Sequence, residues 1–114
     1  MLRVPKMRNV NVYVDVDLTL IDHQGGLLPD AAEAMRKLYD AGCHLFLWST
    51  GGADYCRKVA RLNRLEELFE GFVSKPDIII DDMPNTCLKP FTYDVNNERS
   101  WQELAERILA KHVD

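Results

Sequence analysis

The segment VNVYVDV (10–16) restricts the fold more than any other, because it is rich in β-branched residues and apolar at nearly every position. Such a run predicts a strand that is buried on both faces, as the strands of a parallel sheet are. Further strands are predicted at CHLFLWS (43–49), GFVS (71–74) and DIIIDD (77–82). Because parallel strands need crossover connections, we expect helices between them.

The segments between and after these strands have helical patterns. In PDAAEAMRKLYDAG (29–42) the apolar residues share one helical face, formed by Ala31, Ala34, Met35 and Leu38. A second helix is predicted over 53–64, with one face that carries Cys56, Val59, Ala60 and Asn63. A short helical piece follows over 64–71. The last helix is predicted over 100–114, where Ser100 and Glu103 form a capping box.

This order of elements predicts the fold class. We expect an α/β fold with a three-layer, Rossmann-like, doubly wound and mainly parallel sheet. The chain has 114 residues, a length that fits a single domain over 1–114. The net charge of −4, without a basic run, disfavours a broad nucleic-acid-binding surface.

Cysteine spacing and hydropathy indicate the cellular setting. The three cysteines, Cys43, Cys56 and Cys87, form no CxxC pattern. Neither a zinc site nor a disulfide framework is therefore indicated, and reduced thiols in a cytoplasm are the simplest interpretation. No apolar stretch approaches the ~18 residues that a membrane span needs, so we expect no membrane partner.

Polar side chains follow three of the predicted strands at their carboxyl ends. They are Asp15 and Asp17, then Ser49 and Thr50, then Asp81 and Asp82. Because ligands bind at the carboxyl ends of parallel strands, we expect these residues to converge at one edge of the sheet. Four carboxylates in one place need a counter-charge, and an all-oxygen, acidic donor set suits Mg²⁺ better than zinc. The plainer alternative is that each acidic pair is a solvated strand end.

Four segments of the chain resemble the motifs of the haloacid-dehalogenase-like (HAD) phosphohydrolases. DVDLTL (15–20) resembles the DxDxT signature of that family, and LFLWST (45–50) is similar to its second motif. SKP (74–76) resembles the lysine-bearing third motif, and IIIDD (78–82) the fourth motif with its paired acids. The resemblance covers roughly residues 10–83, and it implies a magnesium-dependent phosphatase.

The resemblance also implies roles for individual residues. Asp15 would be the nucleophile that forms an aspartyl-phosphate, and Asp17 the general acid and base. The Asp15 carboxylate, the Asp17 backbone carbonyl and Asp81 would hold Mg²⁺, with Asp82 acting through water. Thr19 would orient Asp17 or the local turn. Further residues would contact the phosphate group of the substrate.

Ser49 would donate a hydrogen bond to the phosphoryl group, together with backbone amides of the following turn at Thr50 and Gly51. Thr50 is the fallback for Ser49, and helix capping is the alternative explanation for both hydroxyls. Lys75 would neutralise the nucleophile and the phosphate. Trp48 is interpreted as a core residue, and Tyr55 and Trp101 carry no functional signal.

The position of Lys75 conflicts with a full strand over 77–81. Such a strand would start Lys75 about 15–20 Å below the active edge, at ~3.3 Å per residue. Either the strand is therefore shorter and Lys75 lies in an upper loop, or Lys89 or Arg57 takes its place. A plain loop at Lys75–Pro76 is the remaining alternative.

No cap domain is predicted, because the stretch between the first two motifs holds only a flap (22–28) and one helix. An open site favours a large phosphorylated substrate, and a capless chain of this size is compatible with a homodimer. His23 in the flap could touch substrate or be merely solvated.

Two other classes of protein compete with a phosphatase. A phospho-receiver module shares the length, the sheet and the acid cluster. It carries its adjacent acid pair on the first strand, however, whereas this chain has DxD there. The other competitor is a catalytically inert HAD-like module that binds phosphate or metal without turnover.

Overall fold

The computed structural model describes residues 8–82 and 91–114. Within these ranges three strands form one parallel sheet in the order β1-β2-β3: β1 (Asn11–Asp15), β2 (His44–Ser49) and β3 (Phe69–Ser74). The helices are α1 (Ala31–Asp40), α2 (Ala53–Leu62) and α3 (Trp101–His112), with short 3₁₀ turns at Glu66–Leu68 and Val95–Asn97. This arrangement is compatible with the expected Rossmann-like α/β fold.

The helices pack their apolar stripes into one core with the sheet. On α1 the buried residues are the four that the sequence pattern predicts, Ala31, Ala34, Met35 and Leu38. On α2 they are Cys56, Val59 and Ala60, while the expected fourth member, Asn63, is half-buried. α3 packs against α1 and begins at Ser100, whose Oγ accepts a hydrogen bond of 3.1 Å from the Glu103 amide. Each large aliphatic side chain buried here contributes about 1.5–3 kcal/mol.

The two faces of the sheet differ in burial. Val14, Leu45 and Leu47 point into the core, whereas Tyr13 on the opposite face is 49% exposed. The Tyr13 ring stacks on Phe46 at 4.8 Å and meets Trp48 edge-on at 5.3 Å. The prediction that the first strand is buried on both faces is therefore wrong for the described residues, because aromatic rings cover each other there in place of a second layer.

The predicted strand over 77–82 is wrong as well. The structure gives this segment no strand, and Ile78 and Ile80 are 82% and 95% exposed. A β-branched composition stabilises a strand only where a neighbouring strand and a buried face support it. In the described ranges the sheet ends with β3 and offers this segment no partner.

Two of the three cysteines lie in the described residues. Cys43 and Cys56 are buried free thiols, and burial raises the pKa of each. Cys87 lies outside the described residues, as does Lys89.

None of the helices in 8–82 and 91–114 combines the length and the unbroken apolar character that a bilayer crossing requires.

Candidate active site

Asp15 ends β1 and receives two contacts at its carboxylate. Thr19 Oγ1 donates a hydrogen bond of 3.1 Å to Oδ2, and Lys75 Nζ lies 3.1 Å from Oδ1. The side chains of Asp15 and Lys75 are 34% and 33% exposed, so this ion pair faces solvent in part. The carboxylate is thus fixed by two donors and remains reachable from outside.

A tight turn follows Asp15 and presents Asp17. The Val16 carbonyl accepts hydrogen bonds from the amides of Thr19, Leu20 and Ile21 at 3.3, 2.9 and 3.1 Å. Leu18 adopts a left-handed conformation with φ of 61° to close this turn. The Asp17 carbonyl accepts none of the hydrogen bonds that close the turn within the described residues, so its oxygen stays available as a ligand.

Ser49 ends β2 and organises the turn into α2. Its side chain is buried, at 1% exposure, and its Oγ accepts a 2.9 Å hydrogen bond from the Gly51 amide. Gly52 has φ of +100°, a region that side chains rarely adopt. Thr50 is exposed. Ser49 therefore lies at the strand end as predicted and closes the turn before α2. The helix-capping alternative is wrong, because the N-cap of α2 is Gly52 and no side chain caps it.

Lys75 directly follows β3 and reaches the carboxyl edge of the sheet. Its amide donates a 3.0 Å hydrogen bond to the Ser49 carbonyl, which continues the pairing of β3 with β2. Its ammonium lies 5.3 Å from the centre of the Trp48 ring and 3.1 Å from Asp15 Oδ1. The strand over 77–81 that would have placed Lys75 far below this edge is absent, and Lys75 lies at the carboxyl end of β3 instead.

Arg57, a proposed substitute for Lys75, has other contacts. Its guanidinium pairs with Asp54 at 3.7 Å and lies 5.3 Å from the centre of the Phe72 ring. These contacts hold Arg57 at the outer side of α2.

Tyr55 joins the site although no sequence pattern indicated it. Its hydroxyl donates a 2.6 Å hydrogen bond to Asp17 Oδ1. That bond, followed by burial and the nearby carboxylate charges, raises the pKa of Tyr55 to about 12. A Cβ on Gly51 would lie 2.9 Å from the Tyr55 ring, so the glycine lets the tyrosine approach. The available signal was its position in the first turn of α2, directly after the Ser49 turn.

The four predicted metal-ligating acids are only partly brought together. Asp15 ends β1 and Asp17 lies in the turn after it, whereas Asp81 and Asp82 lie in the exposed segment after Lys75. Residues 8–82 and 91–114 contain no group of three or more His, Cys, Asp or Glu placed to share a metal ion. Mg²⁺ commonly uses one or two protein carboxylates and keeps several waters, a demand that Asp15 with the free Asp17 carbonyl can meet. Ligation by Asp81 and Asp82 stays a prediction.

Comparison with known proteins adds no further evidence on the site. The sequence matches no protein-family model and no curated protein.

Proposed function

We propose that the protein is a magnesium-dependent phosphomonoesterase with a HAD-like fold. The observation that carries this proposal is the meeting of Asp15 and Lys75 at 3.1 Å. A partly exposed carboxylate beside a fixed ammonium, at the carboxyl edge of a parallel sheet, is suited to receive a phosphoryl group. The DVDLTL resemblance supports the same assignment.

In the first step Asp15 attacks the phosphorus atom of the substrate. The bond from phosphorus to the leaving oxygen breaks, and Asp17 gives that oxygen its proton. In the second step Asp17 takes a proton from water, which attacks phosphorus and releases phosphate from Asp15. Lys75 offsets the negative charge of the nucleophile and the phosphoryl oxygens, which would otherwise repel each other.

The Ser49 turn provides the phosphate contacts in this proposal. Because Ser49 Oγ accepts the Gly51 amide, its hydroxyl proton is free to be donated to a phosphoryl oxygen. The exposed Thr50 hydroxyl lies beside it on the same turn. Tyr55 holds the Asp17 carboxyl group in one orientation through its 2.6 Å hydrogen bond.

Mg²⁺ would be held by the Asp15 carboxylate and the Asp17 carbonyl, with Asp81 and Asp82 as further ligands. When bound, the ion would supply positive charge to the phosphoryl oxygens. The residues of the chain itself still position the nucleophile, the acid and the phosphate.

The test is hydrolysis of p-nitrophenyl phosphate with Mg²⁺ and with EDTA. We expect turnover with the metal, loss of turnover in EDTA, and recovery when Mg²⁺ is restored. Asp15→Asn is the matched variant, since it removes one charge and keeps the shape. Metal-independent turnover, or full activity of the variant, would contradict the proposal.

A non-catalytic HAD-like module is the second candidate. It is favoured by the absence, within the described residues, of a third acid gathered with Asp15 and Asp17. Such a module would bind phosphate or Mg²⁺ without hydrolysing any ester, so the same assay separates the two candidates.

A further inference from the structure

A groove lies between the flap and the segment that leads into α3. Its volume is about 440 Å³, within the usual range of small-molecule sites. Leu28 and Leu104 contribute apolar walls, together with the ring of Trp101. Asp15, Lys75 and Ser49 do not line it, so the groove is distinct from the phosphate contacts described above.

The groove is connected to the candidate nucleophile by hydrogen bonds. Leu18, which lines the groove, is the residue directly after Asp17. Trp101 Nε1 donates a 2.9 Å hydrogen bond to the Thr19 carbonyl, and Thr19 Oγ1 donates to Asp15. A group attached to a phosphate at Asp15 would leave the site past Asp17, because that residue must protonate the leaving oxygen. Leu18, the next residue of the chain, lines the groove.

The charged lining residues are not all available to a ligand. Asp22 Oδ1 accepts hydrogen bonds from the amides of Gln24 and Gly26 at 2.8 and 3.0 Å. Glu98 is paired with Arg107. Both acids in the lining are thus engaged within the protein.

Arg99 and His23 remain available in this groove. Both are exposed, and within 8–82 and 91–114 neither makes an ion pair or a side-chain hydrogen bond. Arg99 is permanently cationic and presents a planar set of donors that matches a carboxylate. It is the one such cation among the described lining residues, and it is the donor that a carboxylate on a ligand would meet there.

We propose that this groove binds the leaving group of the substrate, and that this leaving group has an apolar body and a carboxylate. The apolar body packs against Leu28, Trp101 and Leu104, and the carboxylate pairs with Arg99. This inference rests on the proposed phosphatase function and names the class of its substrate. A protein without a cap obtains specificity from the flap and from the chain that enters α3.

The test compares two esters of equal size, 4-carboxyphenyl phosphate and 4-carbamoylphenyl phosphate. We expect kcat/KM to favour the carboxylate about fivefold, the upper value for a partly exposed charge pair. Arg99→Gln should remove this preference. Arg36→Gln is the matched control, because Arg36 is an exposed arginine on α1 outside the groove and should leave the preference intact.

A binding measurement makes the groove testable apart from turnover. 4-Hydroxybenzoate, the free leaving group, is added while the indole N–H signals of both tryptophans are followed by NMR. We expect the Trp101 signal to move, the Trp48 signal to stay, and Arg99→Gln to weaken the response.

The outcomes separate the two proposals. Equal hydrolysis of both esters, unchanged by Arg99→Gln, overturns the groove inference and leaves the phosphatase standing. If neither ester is hydrolysed although p-nitrophenyl phosphate is, the groove inference fails alone. If none of the three is hydrolysed, the phosphatase proposal fails, and the titration decides whether the groove binds carboxylates. A Trp101 signal that does not move overturns the groove inference in either case.

Discussion

Lys75 Nζ lies 3.1 Å from Asp15 Oδ1, although the two residues follow strands that are separated by a third strand. Strands two places apart in a sheet lie about 10 Å from each other, and a lysine side chain spans about 6 Å. The contact is possible because Lys75 crosses over the Trp48 ring on β2. The middle strand therefore supports an ion pair between its two neighbours.

Replacement of Lys75 tests the role of this ion pair. Lys75→Met should lower kcat/KM for p-nitrophenyl phosphate by about 100-fold, the usual cost of one preorganised electrostatic donor. The fold should be retained, because the Asp15 carboxylate is partly solvated without its partner. Lys58→Met, on the exposed face of α2, is the matched control and should leave kcat/KM unchanged. Equal activity of Lys75→Met and the native protein would remove Lys75 from the mechanism.

The Trp48 ring should matter only through Lys75. Trp48→Leu removes the cation–π contact and should lower kcat/KM about two- to fivefold, whereas Trp48→Phe should restore part of the loss. In the Lys75→Met background the same Trp48→Leu change should have no further effect. A double-mutant cycle measures this coupling. Additive losses would mean that Trp48 acts through packing alone.

The Tyr55–Asp17 hydrogen bond predicts how Tyr55 titrates. A carboxylate acceptor stabilises the neutral phenol, so the pKa of Tyr55 is raised to about 12. Asp17→Asn should lower this pKa towards the ordinary value of about 10. The titration is followed by tyrosinate absorbance. The part of this absorbance that is lost in Tyr55→Phe belongs to Tyr55. Asp54→Asn, a nearby exposed carboxylate, should leave the titration unchanged; an equal shift there would show a diffuse charge effect.

His112 predicts a loss of stability in acid. Its Nε2 lies 2.6 Å from the Tyr93 hydroxyl, and its buried Nδ1 has no partner within the described residues. Burial, followed by the charge of Lys111, lowers the pKa of His112. The folded protein therefore binds this proton less readily than the unfolded chain, whose histidine titrates near pH ~6.5. The stability contribution is present above that pH and is lost as the pH falls through the folded pKa.

Thermal unfolding at about pH 7.5 and about pH 5 measures this effect. The decrease in Tm from the higher to the lower pH should be a few degrees smaller for His112→Gln than for the native protein. His23→Gln, which changes an exposed histidine, should keep the native fall. An identical fall for the native protein and His112→Gln would show that other groups set the acid sensitivity.

The periodic parts of the sequence predicted the helices and the first two strands. Ala31, Ala34, Met35 and Leu38 are buried as their spacing indicates, because an amphipathic helix carries its own burial pattern. The strands β1 and β2 were predicted within a residue of their observed ends, since each apolar run ends at polar side chains. Asp15 and Asp17 were recognisable for the same reason.

The remaining parts depend on which elements lie side by side, and local pattern does not determine that. Ile78–Ile80 has the composition of a strand, but the described sheet gives it no neighbour. The reach of Lys75 depends on the end of β3 and on the Trp48 ring that it crosses. Tyr55 contributes through a hydrogen bond to Asp17, which is distant in the sequence. The sequence of its own helix contains no pattern that predicts this contact.

Detection of the phosphorylated nucleophile tests the central claim most directly. The protein is quenched during turnover and reduced with borohydride, which converts an aspartyl-phosphate to homoserine, and its peptides are analysed by mass spectrometry. We predict homoserine at position 15 only when substrate and Mg²⁺ are both present. Turnover without modification of Asp15, or with modification at another aspartate, would contradict the account.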